Sequence, residues 1–157
     1  MTTRTPIAAA LALLLGAGIA TAGEVHEVKM LNADPDNRRD RMVFDPPVLK
    51  IDVGDTVRFL ATDKGHNAIA QVVPAGAEEF KGKINQEIEV TFDVEGTYLY
   101  NCQPHATLGM IGIIMVGDHT GNFEEVADAR MRGRASKQRL EDYVQQARDL
   151  ADTAALQ

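Results

Sequence analysis

From Val25 to about Leu99, apolar residues recur at every second position: Leu49, Ile51 and Val53, then Val57 and Phe59, then Ile88, Val90, Phe92 and Val94. A period of two puts each set on one face of an extended chain, so the spacing predicts half-buried strands. Between the runs stand residues that turn a chain: Asp34-Pro35-Asp36, Asp45-Pro46-Pro47, Gly54-Asp55, Lys64-Gly65, Pro74-Ala75-Gly76 and Glu95-Gly96. Short strands so punctuated predict a β-sandwich. Ile111 to Val116 is apolar throughout and closes on Gly117-Asp118, as a strand buried on both faces would.

Beyond Asp118 the period lengthens. Phe123, Val126 and Ala127, then Leu140, Tyr143, Val144, Ala147 and Leu150, fall at three- and four-residue steps with charges between them. Two helices are predicted, split near Gly133, with Ser136 as N-cap of the second and with apolar stripes that dock on the sandwich. Residues 23–118 are therefore read as the sandwich and 119–157 as a helical extension of the same domain. The first 22 residues fit neither pattern. Arg4 precedes an almost wholly apolar stretch from Ile7 to Ala20, and Ala20-Thr21-Ala22 offers small residues for cleavage, so 1–22 is expected to be a secretory signal peptide.

That stretch is short for a membrane span and no later run reaches about 18 apolar residues, so no span is expected in the mature form. Removing Arg4 from 16 basic residues leaves 15 against 23 acidic, a net charge of −8. The balance argues against nucleic acid, whose phosphates need a clustered basic surface. With 157 residues, 45% hydrophobic and 25% charged, the composition is that of an ordinary globular chain with one core.

Export favours disulfides, yet Cys102 is the only cysteine and cannot form one within the chain. A lone cysteine is often a small buried hydrophobe. Here, however, "CQPHATLGM" places Cys102, His105 and Met110 within one short segment. With Tyr98 to Cys102 as a strand end and Gln103 to Gly109 as a loop, Pro104 stiffens the turn before His105 and Gly109 lets the backbone return to Met110. A fourth ligand is available from Gly65-His66, and two imidazoles, a thiolate and a thioether are the donor set that suits copper in electron-transfer sites. Zinc would leave Met110 without a role. Haem attachment through C-x-x-C-H needs a second cysteine, and a nucleophilic Cys102 paired with His105 or His66 lacks an evident substrate pocket or oxyanion hole. His26, on an edge-like strand, and His119 read as solvated, and Met30, Met42, Met115 and Met131 as core filling, with "MVFDPP" expected near the site.

The segments "EVKMLN", "MVFDPP", "GDTVRFLATDKGHN", "FKGKINQE" and "GTYLYNCQPHATLGMIG", with the two-helix tail after "VGD", resemble the cupredoxin family of blue copper proteins, in particular members with a helical tail. The resemblance covers nearly all of residues 24 to 150. It implies a mainly β, eight-stranded Greek-key sandwich with C-terminal helices packed on it and one type 1 copper bound by His66, Cys102, His105 and Met110, with Asn67 holding loops around them. It further implies a monomeric periplasmic one-electron carrier, not an enzyme, exchanging electrons with a copper nitrite reductase or c-type cytochromes. Outer-sphere transfer would pass through the exposed edge of His105, inside a docking patch of Pro104, Ala106 and Leu108 ringed by Lys64, Lys81 and Lys83. The chain departs from this pattern in two places. Asn101 precedes the cysteine where lysine is common, and the loop from Ala33 to Arg41 is longer and holds Arg38, Arg39 and Arg41, which are expected to replace part of the missing charge. A copper storage or delivery protein and a metal-free β-sandwich binding module remain as alternatives, although a complete ligand set suits a carrier that keeps its metal.

Overall fold

Alternating hydrophobicity becomes eight strands in the computed structural model, which describes residues 23–155; the expected signal peptide lies outside the described residues. They are β1 (Val25–Ala33), β2 (Arg41–Asp45), β3 (Val48–Ile51), β4 (Thr56–Leu60), β5 (Ile69–Val72), β6 (Ile88–Thr91), β7 (Gly96–Asn101) and β8 (Ile111–Val116), followed by helices α1 (Phe123–Ala127) and α2 (Arg134–Ala155). One sheet runs β2-β1-β4-β6 and the other β3-β8-β7-β5. The β1–β4 and β3–β8 pairs are parallel and the rest antiparallel.

Period two decides which face each side chain takes. Val28, Met30, Phe44, Val57, Phe59, Tyr98, Tyr100 and Ile114 meet between the sheets. On the opposite face of the second sheet, Leu99, Ile111, Ile113 and Met115 lie beneath Phe123, Val126, Leu140, Val144 and Ala147 of the helices. Three layers result, and β7 and β8 are buried on both sides, which is why the Ile111–Val116 run shows no alternation. Tyr100 faces Gly112 across the β7–β8 ladder, and a Cβ at residue 112 would stand 2.3 Å from the tyrosine hydroxyl. Glycine there makes room for the ring.

Several expectations change. β1 lies inside its sheet, not at an edge, and His26 sits 2.9 Å from the Asp55 carboxylate. Val53 follows β3 into the Asp52–Asp55 turn and is 46% exposed. α1 has only five residues, and Ser136 is not an N-cap, because α2 begins at Arg134 and Ser136 is buried inside its first turn. Met30 and Met115 are fully buried in the core as predicted. Among the described residues no helix is long and apolar enough to cross a membrane.

Candidate metal centre

Cys102 leaves the end of β7 fully buried, and the chain enters a 3₁₀ turn, Gln103–Leu108, with Pro104 near its start. Gly109 ends the turn at φ 92°, a left-handed conformation that glycine adopts without steric cost. The segment then closes on itself. Cys102 N–H donates to Met110 O at 3.0 Å, His105 N–H to Cys102 O at 3.1 Å, and Met110 N–H to His105 O at 3.2 Å. Met110 is thereby held, fully buried, against the backbone of both other residues of the loop.

His66 arrives from the β4–β5 connection, where Gly65 has φ 96°. Asn85 fixes this approach twice, donating its N–H to His66 O at 2.9 Å and accepting from Gly65 N–H through its side chain. The buried His66 ring donates Nε2–H to Asn32 Oδ1 at 3.0 Å, which leaves Nδ1 as a lone-pair donor aimed at the loop. His66 Nδ1 is 3.1 Å from His105 Nδ1 and 3.7 Å from Cys102 Sγ, which is 3.4 Å from His105 Nδ1. A point equidistant from these three atoms lies roughly 2 Å from each, the length of a metal–nitrogen bond. The residues therefore fit a metal of trigonal N₂S preference, and among the described residues no other group of three or more His, Cys, Asp or Glu converges in this way.

Burial, and then the neighbouring His105, push the His66 pKa down, favouring the neutral imidazole that a metal requires. Burial pushes the Cys102 thiol up, opposed by backbone N–H groups of Asn67 and His105. A cation among these atoms is what would release the thiol proton. Asn67, itself buried, accepts Gln103 N–H at 2.9 Å and donates to Gly82 O at 3.1 Å, joining the His66 segment to the ligand loop and to the chain beyond β5.

His105 is half-buried, with Pro104 and Leu108 exposed and Ala106 half-buried on its own turn. Lys64, Lys81 and Lys83 are exposed, as are Arg38, Arg39 and Arg41. Asn101 is buried in β7 between Ile69 and Ile111, so it adds nothing to that surface. "MVFDPP" does lie beside the loop: one guanidinium nitrogen of Arg139 bonds both Met42 O and Gly109 O. Sequence reasoning did not single out Asn32, Asn85, Arg139 or Ile84, an exposed apolar residue next to Asn85. Asn85 alone carried a hint, as an Asn in a polar turn suited to its left-handed φ of 65°.

Residues 27–117 match the family described as copper binding proteins, plastocyanin/azurin family. The chain is 38% identical to the pseudoazurin of Methylorubrum extorquens over 136 residues, which is 85% of this chain and 89% of that one. It is equally 38% identical to the pseudoazurin of Paracoccus pantotrophus, over 82% and 88% of the two chains. Among solved structures, pseudoazurin from Methylobacterium extorquens AM1 superposes with a TM-score of 0.73 at 37% identity, covering 78% of this chain and 98% of that one. Pseudoazurin from Hyphomicrobium denitrificans gives 0.72 at 34%, covering 78% and 97%.

Proposed function

The chain belongs to the plastocyanin/azurin family of copper-binding proteins and, within it, to the pseudoazurins, and from that premise we propose that it is a periplasmic one-electron carrier rather than an enzyme. The observation that carries the reading is the triangle of His66 Nδ1, His105 Nδ1 and Cys102 Sγ, of whose three residues only His105 reaches the surface. The residues that would hold the copper are those three with the Met110 thioether. Bound copper would supply the Cu(II)/Cu(I) couple.

The protein's part is to keep the donor atoms where both oxidation states accept them. Asn32 locks the His66 ring, the loop's own hydrogen bonds fix Cys102, His105 and Met110, and Asn67 ties the two segments together. The site is assembled by the fold, so little rearrangement opposes electron transfer, and complete burial of Cys102 and His66 keeps water from them. His105 offers the short outer-sphere path to a partner. Pro104, Ala106 and Leu108 form the apolar contact around it, with positive charge supplied by the exposed Lys64, Lys81 and Lys83 and by Arg38, Arg39 and Arg41 leading into β2. The partner that fits is a redox protein with an acidic docking face, a copper nitrite reductase or a c-type cytochrome. Storage or delivery fits less well, because exchange requires accessible ligands.

The test is the visible and electron paramagnetic resonance spectra of residues 23–157 loaded with one equivalent of Cu(II), beside Cys102→Ser. An intense thiolate-to-copper band with narrow hyperfine splitting, absent in the variant, is the expected outcome. A colourless wild-type protein, or ordinary copper spectra indifferent to the mutation, would refute it.

A further inference from the structure

The helical tail reaches the metal centre through backbone carbonyls. Arg139, on the second turn of α2, donates from Nη1 to Gly109 O at 2.8 Å and Met42 O at 2.7 Å, and from Nη2 to Arg41 O at 2.7 Å. One turn earlier the buried Ser136 hydroxyl lies within hydrogen-bonding reach of Ala106 O as well as of Arg132 O, 3.0 Å away in the segment just before the helix. Gly133, at φ 93°, packs so closely that a Cβ there would stand 2.5 Å from Thr107 O. The start of α2 thus lies along the ligand loop from Ala106 to Gly109.

The Gly109–Met110 peptide unit is held at both ends. Its carbonyl accepts from Arg139 and from Ile111 N–H at 2.9 Å, and its N–H donates to His105 O at 3.2 Å. This unit joins the turn bearing His105 to Met110, so its orientation governs where the thioether stands relative to the three trigonal donors. Arg139 makes no ion pair among the described residues and spends its donors on carbonyls. Hydrogen bonds from a charged group are stronger than neutral ones, and a guanidinium stays charged at any working pH.

We propose that Arg139 is a positioning residue for the metal centre: bonded at once to Gly109, Met42 and Arg41, its guanidinium fixes the peptide unit that carries Met110 and so sets the approach of the thioether to the metal. This rests on Met110 being one of the residues that would hold copper in the proposed function. Axial-ligand strength tunes the potential of such a site, so a residue on the tail tunes it without touching the metal.

The experiment compares Arg139→Gln and Arg139→Lys with wild type and with Arg148→Gln, an exposed arginine of the same helix. In the metal-free protein, amide hydrogen exchange at Met110 is expected to accelerate about tenfold or more in both Arg139 variants, the loss of a bond of about 1.4 kcal/mol, and to stay unchanged in Arg148→Gln. In the copper-loaded protein both Arg139 variants keep the thiolate band but shift its shape and the midpoint potential, and the shift disappears when Met110→Leu is also present. Full rescue by lysine, or an equal shift in the Met110→Leu background, would show that only the charge matters and would overturn the proposal. So would a lower melting temperature with exchange, spectra and potential all as in wild type. A wild-type protein without a thiolate band would instead overturn the copper reading itself, while the exchange comparison still reports whether Arg139 holds the loop.

Discussion

Asp55 opens β4 at the end away from the loop that carries His66, and its carboxylate gathers three donors. His26 Nε2 lies 2.9 Å away, Glu24 N–H 2.7 Å and Asp52 N–H 3.0 Å. The bond with His26, helped by the two backbone groups and opposed by burial, holds the carboxyl below its ordinary value. A folded-state pKa below the unfolded one stabilises the protein fully above the unfolded value, about 3.9, and that contribution is lost as pH falls through the folded value. Replacing Asp55 with Ala strands two N–H groups and should cost about 1–3 kcal/mol at pH 7. Urea unfolding at pH 7 and pH 3 checks this, with a smaller difference from wild type expected at pH 3; an equal difference at both would remove the carboxylate from the account. Residues of this kind were poorly legible in the sequence. Asn32 is one asparagine at a strand end and Arg139 one arginine among the charges of a helix, and nothing local separates either from a solvated side chain.

The elements themselves were far easier to read. Period-two runs gave the strands because most of those face one hydrophobic layer, although β3 puts Val48 under the helices and Ile51 between the sheets, and the unbroken Ile111–Val116 run gave a strand with layers on both sides. Alternation misled at Val53, where the chain had already turned, and capping chemistry misled at Ser136, whose hydroxyl donates to Ala106 O of the ligand loop and to Arg132 O ahead of the helix instead of accepting a helix N–H. The docking face of α2 was visible in its three- and four-residue spacing, whereas its grip on the loop depends on backbone carbonyls that leave no trace in side-chain identity. Leu140 is 4% exposed beneath that face, so Leu140→Ala should lower stability by about 2–5 kcal/mol. Denaturant melts of the copper-loaded protein test this, with the thiolate band expected to persist in the folded variant.

At the scale of the molecule, charge is divided unevenly. The mature chain is expected to carry −8, yet Lys64, Lys81, Lys83, Arg38, Arg39 and Arg41 are exposed and form no ion pairs among the described residues. Arg139 bonds the carbonyls of both Arg41 and Gly109, which brings the start of β2, where the β1–β2 loop ends, alongside the ligand turn. Replacing Arg38, Arg39 and Arg41 with Gln should slow electron transfer to an acidic partner several-fold at low ionic strength and flatten its salt dependence. Stopped-flow rates across a salt series decide it, and an unchanged low-salt rate would assign steering to the lysines alone. The same clamp bears on how such proteins can be recombined. A ligand loop grafted onto a tailless sandwich would arrive with the carbonyls of Ala106 and Gly109 stripped of their helical donors, so loop and helix are expected to transplant only as one unit.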